Sequence, residues 1–447
     1  MNVNDYSMKI IFLYIVFLSF LFPQELSLKE CIHRGLKNKS TLRSAKSGVS
    51  IAEQSLKNSY SRVLPSIGFT GRVNRTYFPE RESFTLNYNE LKMDTSSFNN
   101  SRYLSTGISI TQKLYDGSQS LNQIRQAKIL FESSNLNYST AKLELIQNVI
   151  ISYFEFLKAK ELRDVAIQNL SLSENQLELV KTQFDLGAVK KTDLLKGKVI
   201  QGQSQSEILR SNQNLRNKRR NLFNAMGISD DGEQFTDFTY DIFTYILPKK
   251  EIVVKSIEKN NPSVLSNKNR TKAAKLNYLI AKGIRMPSIS AGLDYSAVGE
   301  TYGDWVDNLQ NDWNLGVNVS LSIPIYMGNG ISTQIEQKKI EWHQSTEDYT
   351  TLKENLDVRA LDLLDILNYH IEILPIQLQV VESAQEDLSL VQERYALGAA
   401  SILEVLDAQV SLNSAKTGWV NLKYDFWIYL ASLQSLTGEL TPDFGIN

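Results

Sequence analysis

Four stretches of this chain alternate apolar and polar residues with period two. The first carries Ile67, Phe69, Gly71, Val73, Arg75 and Tyr77 on one parity, against Ser66, Gly68, Thr70, Arg72, Asn74 and Thr76. The second sets Leu104, Thr106, Ile108, Ile110, Gln112 and Leu114 against Ser105, Gly107, Ser109, Thr111 and Lys113. The third sets Ile289, Ala291, Leu293 and Tyr295 against Ser288, Ser290, Gly292 and Asp294. The fourth is the clearest, with Trp313, Leu315, Val317, Val319, Leu321, Ile323 and Ile325 against Asn314, Gly316, Asn318, Ser320 and Ser322. Strict alternation predicts strands over about 66–78, 103–115, 288–298 and 313–326, each with one apolar and one polar face. About ten residues is also the length of a tilted strand that crosses a bilayer. The segments between them, 79–100 and 299–312, read as polar irregular loops. Tyr77, Phe78, Tyr103, Tyr302, Trp305 and Trp313 stand at strand ends, where interfacial aromatic girdles sit. The alternative is half of a soluble β-sandwich, but only two hairpins are present and no further β-rich segment is left to pack on them.

The remainder of the chain has helical periodicity. A pattern over 26–63 stops at Leu64-Pro65, and one over 249–285 stops at Met286-Pro287, because the residue before proline is pushed out of the helical region. Two much longer patterns cover 118–184 and 331–395, each on the order of 100 Å at 1.5 Å per residue. In the second, Leu364, Leu367, Ile371, Leu374, Leu378, Val381, Leu388 and Tyr395 follow steps of three and four, a coiled-coil seam. The matching seam of the first is Tyr153, Phe156, Ile167, Leu170, Leu177 and Phe184. Pro375 predicts a kink or break, since an interior proline costs about 3 kcal/mol. Each long pattern ends in a turn, Phe184-Asp185-Leu186-Gly187 or Tyr395-Ala396-Leu397-Gly398, and a returning helix follows over 191–226 or 400–436. Gly187 and Gly398 lie 211 residues apart, as do Gly117 and Gly328, and Gly227 and Gly438. The chain is a duplication. Its organisation reads as a signal peptide (1–23), a first repeat (24–227), an acidic, aromatic, non-helical belt against the helices (228–248), and a second repeat (249–440).

Composition narrows the partners. Lys+Arg 48 against Asp+Glu 49 leaves no basic excess for nucleic acid. One cysteine, Cys31, excludes an internal disulfide and a Cys-based metal cluster. His33, His343 and His370 are far apart and read as ordinary helix residues. Residues 10–22 are almost wholly apolar and follow Lys9, which has the length of a signal-peptide core and not of a spanning helix. Cleavage is expected near Pro23 or Gln24. The chain is therefore exported, and any span must be built from strands. Four two-faced strands make an open sheet, and open edges are not tolerated in lipid. Copies must pool their strands into a barrel whose strand number is a multiple of four, around a lumen lined by the polar faces.

The order helix, strand pair, long helix, turn, helix, given twice, resembles the TolC-type outer membrane efflux family. The motifs that carry the resemblance are Leu64-Pro65-Ser66, Leu114-Tyr115-Asp116-Gly117, Ile325-Tyr326-Met327-Gly328, and Arg394-Tyr395-Ala396-Leu397-Gly398 running into Leu403-Glu404-Val405-Leu406-Asp407-Ala408-Gln409. The resemblance implies an α+β membrane protein, a homotrimer with a 12-stranded β-barrel continued by a long α-helical periplasmic barrel. It implies an exit duct of a tripartite efflux pump or type I secretion system in the outer membrane. Its partners would be a periplasmic adaptor and an inner-membrane pump of RND, ABC or MFS type. No cofactor and no metal are implied.

By position, Glu404 and Asp407 resemble an acidic ring at the periplasmic gate, and Asp193 and Tyr395 resemble members of its closing network. Glu404 and Asp407 are three apart and can share a helix side; the plain alternative is a solvated helix face. Leu186, Gly187, Ala188, Leu397, Gly398 and Ala399 are expected to dock the adaptor. Ala400 departs from the arginine that well-known members carry, and Lys190 or Lys191 is expected to replace it. A non-conducting structural or adhesive coiled coil is the competing reading, but it leaves the polar strand faces unexplained. The sequence has no nucleophile elbow, phosphate loop or metal-ligand cluster, so an enzyme is not expected.

Overall fold

A computed structural model describes residues 26–77, 82–87, 92–97, 101–238 and 242–440. The expected signal peptide, Phe78 and Tyr240 lie outside them. The helices are α1 (Leu28–Asn38), α2 (Ser40–Tyr60), α3 (Gln119–Asp185), α4 (Lys191–Met226), α5 (Lys250–Asn260), α6 (Pro262–Gly283), α7 (Tyr302–Asn311), α8 (Gly330–Ala396) and α9 (Ile402–Thr437). The strands are β1 (Ser66–Thr76), β2 (Glu82–Asn87), β3 (Lys92–Ser97), β4 (Ser101–Asp116), β5 (Ser288–Gly299) and β6 (Asn314–Ser322).

The duplication is kept in the long helices. The bounds of α3 and α8 differ by 211, as do those of α4 and α9; α1 and α5 differ by 222. Gly117, Gly187, Gly227, Gly328, Gly398 and Gly438 all take positive φ, the left-handed conformation that glycine adopts without a Cβ penalty. Gly117 is also a close approach, since a Cβ there would lie 2.3 Å from the carbonyl oxygen of Gly283.

The chain divides into two compact units, and the long helices contribute residues to both. Of the described residues, one comprises 26–48, 135–238, 242–266 and 350–440. Its core is aromatic: Tyr153, Phe154, Phe156, Phe223, Phe426 and Trp427 are buried. The segment between the repeats is part of that core. Phe235 packs 4.8 Å from Phe156 and 5.6 Å from Phe223, while Phe238 packs 5.0 Å from Phe154 and 5.1 Å from Trp427. Such ring pairs contribute about 0.5–1.5 kcal/mol each beyond their burial. Cys31 is buried here, and burial pushes its thiol up to about 12, which makes it inert.

Three expectations for the helices need correction. The single helices expected over 26–63 and 249–285 are each broken, at Lys39 and Asn261, both in extended conformation. Asn261 accepts from the backbone N–H of Ser263 and Val264 at 2.9 and 3.1 Å and so caps α6, which Pro262 begins. Of the kink or break expected at Pro375, the break does not occur: helix α8 runs unbroken through it. The ring is exposed while Leu364, Leu367 and Leu374 are buried, so packing on either side outweighs one lost backbone bond. Ile167 is exposed, and Ala166, Ser173 and Val180 take the buried positions, seven apart. Small residues bring helices close, and a search for large apolar side chains passes over them.

The other unit, residues 49–134 and 267–349, contains an antiparallel sheet in the order β1-β4-β5-β6. Its register puts like parity together: Ile67 opposes Ile110, which opposes Leu293, which opposes Val317. Phe69, Ile108, Tyr295 and Leu315 form the next row. The alternate rows read Gly68, Ser109, Asp294, Gly316 and Thr70, Gly107, Ser296, Asn314. Phe69, Val317 and Val319 are each 70% exposed or more, so the apolar face is bare there in the single chain, while α7 covers its other end: Tyr295 donates to Leu309 O at 2.7 Å, Trp305 donates to Thr106 Oγ1 at 2.9 Å, and Ala297 is buried. The expected irregular loops are ordered elements: β2 and β3 form a hairpin within 79–100, and α7 lies within 299–312. Thr301 and Asp304 cap α7 reciprocally, an unread T-x-x-D signal. Strand β6 ends at Ser322, short of the expected 326, because Pro324 cannot donate to a ladder.

Candidate gate at the helix turns

The turns joining α3 to α4 and α8 to α9 have one geometry. In the first, the N–H of Gly187 donates to Phe184 O and that of Ala188 to Gln183 O. In the second, Gly398 donates to Tyr395 O and Ala399 to Arg394 O. These are Schellman closures, with the left-handed glycine supplying the reversal. Leu186 and Leu397 project outward, 79% and 84% exposed, and Gly187, Ala188, Gly398 and Ala399 are exposed beside them. Under the turns Val180, Leu388, Val391, Tyr395, Ile402 and Val405 form a buried cluster, with Val189 and Ala400 packed at its margin.

Glu404 caps α9. Its Oε1 accepts from the backbone N–H of Ser401 and from its hydroxyl, both at 2.9 Å, while Ser401 Oγ accepts from Glu404 N at 3.3 Å. The other oxygen, Oε2, lies 3.6 Å from Arg394 Nη2, which also donates to Ala399 O at 3.1 Å. Within the chain the cation beside Glu404 is therefore Arg394. The closure of the turn carries the last residues of α8 back against the first turn of α9. Lys190 and Lys191 form no ion pair among the described residues.

Asp193 stands at the same place in α4, accepting from Lys190 N at 3.4 Å. Tyr395 donates its hydroxyl to Gln183 Oε1 at 2.7 Å, tying α8 to α3. Burial, reinforced by the Asp193 charge, pushes the Tyr395 phenol up. Asp407 is exposed on α9 and lines a groove of about 550 Å³ with Thr192, Leu195, Lys196, Val199 and Val410. Glu404 does not line that groove; its carboxylate turns back to the cap.

Residues 31–228 and 253–439 match the family described as outer membrane efflux protein. This chain belongs to that family.

The outer membrane efflux chain is 24% identical to outer membrane protein TolC of Vibrio cholerae over 424 residues, covering 93% of this chain and 91% of the relative. It is 21% identical to the outer membrane efflux protein BepC of Brucella suis, covering 92% and 85%. Among solved structures, VceC from Vibrio cholerae superposes with a TM-score of 0.80 at 15% identity, covering 92% of this chain and 96% of that one. CusC superposes with a TM-score of 0.80 at 21% identity, covering 93% of each. Membership places the efflux chain in the outer membrane, with its long helices in the periplasm. No helix among its described residues is long and apolar enough to cross a membrane.

Gln183, Arg394 and Ser401 were not picked out from the sequence as site residues. Ser401-x-x-Glu404 was readable as a capping box; the Gln183–Tyr395 bond was not, because it joins residues 212 apart. The Glu404 carboxyl is held below the usual range by the Ser401 backbone and side-chain bonds, with Arg394 adding to them. A depressed folded-state pKa stabilises above the ordinary glutamate value and ceases to do so as pH falls through the depressed one. Protection of the amides at 401–406, taken relative to the intrinsic exchange rate at each pH, is therefore expected to fall as pH drops below the ordinary glutamate range, and Glu404→Gln is expected to remove that dependence. A protection factor that does not change with pH in the unaltered chain counts against the cap.

Proposed function

We propose that this chain is the exit duct of a tripartite export assembly. Three copies close a twelve-stranded barrel, and a gated helical tunnel on the periplasmic side conducts small molecules or polypeptide passively from pump to exterior. One observation carries the reading: a four-stranded sheet with two open edges and an apolar face left bare over Phe69, Val317 and Val319. Lipid accepts neither an open edge nor an unpaired backbone, and the polar rows on the opposite face suit a wet lumen. The leucine-tipped turns dock the periplasmic adaptor, and the inner-membrane pump selects the cargo. Detergent extracts are expected to contain a heat-labile trimer that forms ion-conducting channels in a planar bilayer; a monomer without conductance removes the reading.

The gate lies at the turns. Tyr395 and Gln183 hold two helices together, and Asp407 presents its carboxylate beside the groove. Three copies of Asp407 make an acidic ring that favours cations. Asp407→Ala is expected to weaken block of the single-channel current by added divalent cations. Glu404→Ala acts chiefly through the cap and the Arg394 contact. An unchanged current–voltage curve in the double variant rejects the ring. Tyr395→Phe removes the bond to the half-buried Gln183, at a cost of about 0.5–1.5 kcal/mol, and is expected to raise the open fraction.

A further inference from the structure

Two arginines stand on the apolar face of the sheet. Arg75 continues the parity of Ile67, Phe69 and Val73 on β1. Its partner across the ladder is Arg102 of β4, and the row beneath them pairs Val73 with Leu104. Residues directly opposite on one face have Cβ atoms about 4.5–5.5 Å apart, and like charges so placed repel. Both side chains are exposed, and the Arg75 guanidinium lies over the Tyr77 ring, 5.1 Å from its centre. Neither arginine has a carboxylate or hydrogen-bond partner among the described residues. The carboxylates of α7 are engaged elsewhere: Asp304 accepts from Thr301 N at 3.0 Å, and Asp307 accepts from Asn311 at 2.7 Å.

The pair lies at the end of the sheet away from the periplasm. Strand β1 starts at Ser66, just after α2, and ends at Thr76. Arg75 is eight residues beyond Ile67 on that strand. At about 3.3 Å per residue and the usual strand tilt, this is roughly 20 Å of height. The apolar band of a membrane barrel is about 25 Å tall, so the two arginines stand at its outer edge. A lipid-facing arginine is tolerated at that depth, whereas at the midplane it is not.

We propose that Arg75 and Arg102 together bind the phosphate of an anionic lipid in the outer leaflet. A phosphomonoester carries about −1.5 to −2 charges, which matches two guanidinium groups. Their planar forks meet its oxygens in pairs, and its charge removes their mutual repulsion. Val73 and Phe69, each more than 70% exposed, lie below the pair and receive an acyl chain of the same molecule. Free phosphate satisfies the arginines and leaves that row uncovered, which is why a lipid fits better. The track is open on the β1 side, since α7 reaches this face at Thr106 of β4. The inference rests on the barrel reading, because a closed barrel presents this face to lipid.

The test uses the full chain as extracted in detergent, with dioctanoyl phosphatidic acid as probe and dioctanoyl phosphatidylcholine as control. Native mass spectrometry counts the bound lipid. Phosphatidic acid is expected to bind, up to one per chain, and phosphatidylcholine is not. Arg75→Gln combined with Arg102→Gln is expected to weaken binding at least about tenfold. Arg72→Gln, on the polar face of the same strand, is expected to change nothing. Excess inorganic phosphate is expected to leave the lipid in place; displacement would make this a free-anion site and overturn the assignment. Equal binding of the two lipids, or undiminished binding by the double variant, also overturns it. Should the glutamine variant lose the trimer, Arg75→Lys with Arg102→Lys keeps the charge without the forks and is expected to bind more weakly; equal binding there overturns the assignment. Absence of a trimer in the unaltered chain removes the barrel reading and this inference with it, whereas a trimer without lipid preference removes this inference alone.

Discussion

Val317→Arg is expected to abolish the heat-labile oligomer while Asn318→Arg preserves it. The two residues are neighbours on β6 and point to opposite faces. Val317 is 74% exposed and opposes Leu293 in the apolar row, which continues through Ile110 to Ile67. Asn318 lies on the polar face, donating to Asp294 Oδ2 at 3.1 Å. An arginine facing lipid near the bilayer midplane costs about 2–4 kcal/mol per copy, and symmetry applies that cost in every protomer. An arginine at 318 faces water beside a carboxylate and carries no such cost. Heated and unheated extracts compared by electrophoresis read the outcome. Equal oligomer in both variants would mean that the bare apolar face does not meet lipid.

Exchanging Leu186 and Leu397 together for aspartate is expected to stop export without affecting the oligomer. Each leucine stands outside the packing of its turn, so its removal leaves the Schellman bonds and the buried cluster in place. Burying a leucine against a partner contributes about 1.5–3 kcal/mol. At 1.4 kcal/mol per tenfold in affinity, losing both from every chain reduces docking by at least two orders of magnitude. Complementation of an export-deficient strain, with cross-linking to the adaptor, measures the effect. Full complementation by the double variant would remove the turns from the docking surface.

Much of the framework was legible before any coordinates. Period-two alternation marked the four sheet strands because the two faces meet different solvents. Glycines at matching positions marked the turns because positive φ favours a residue without a Cβ. The misses have equally local causes. Lys39 and Asn261 end helices within unbroken helical patterns, and only the Asn-Pro pair gave a sign of it. Pro375 is tolerated because its ring faces outward from a well-packed helix. The hairpin β2–β3 and helix α7 were read as loops because both are short and polar.

The candidate site was only half readable. Motif spacing located the turns and the acidic positions. It could not assign partners, because Glu404 turns to Ser401 and Arg394 while Tyr395 reaches Gln183 on another helix. The sequence by itself determined the period of each element, the duplication and the placement of the reversals, since these follow from backbone sterics and from which side chains avoid water. Tertiary structure alone decided which polar group meets which, and which positions of the long helices are buried. Those outcomes depend on distances between helices far apart in the chain, and local pattern carries no record of such distances.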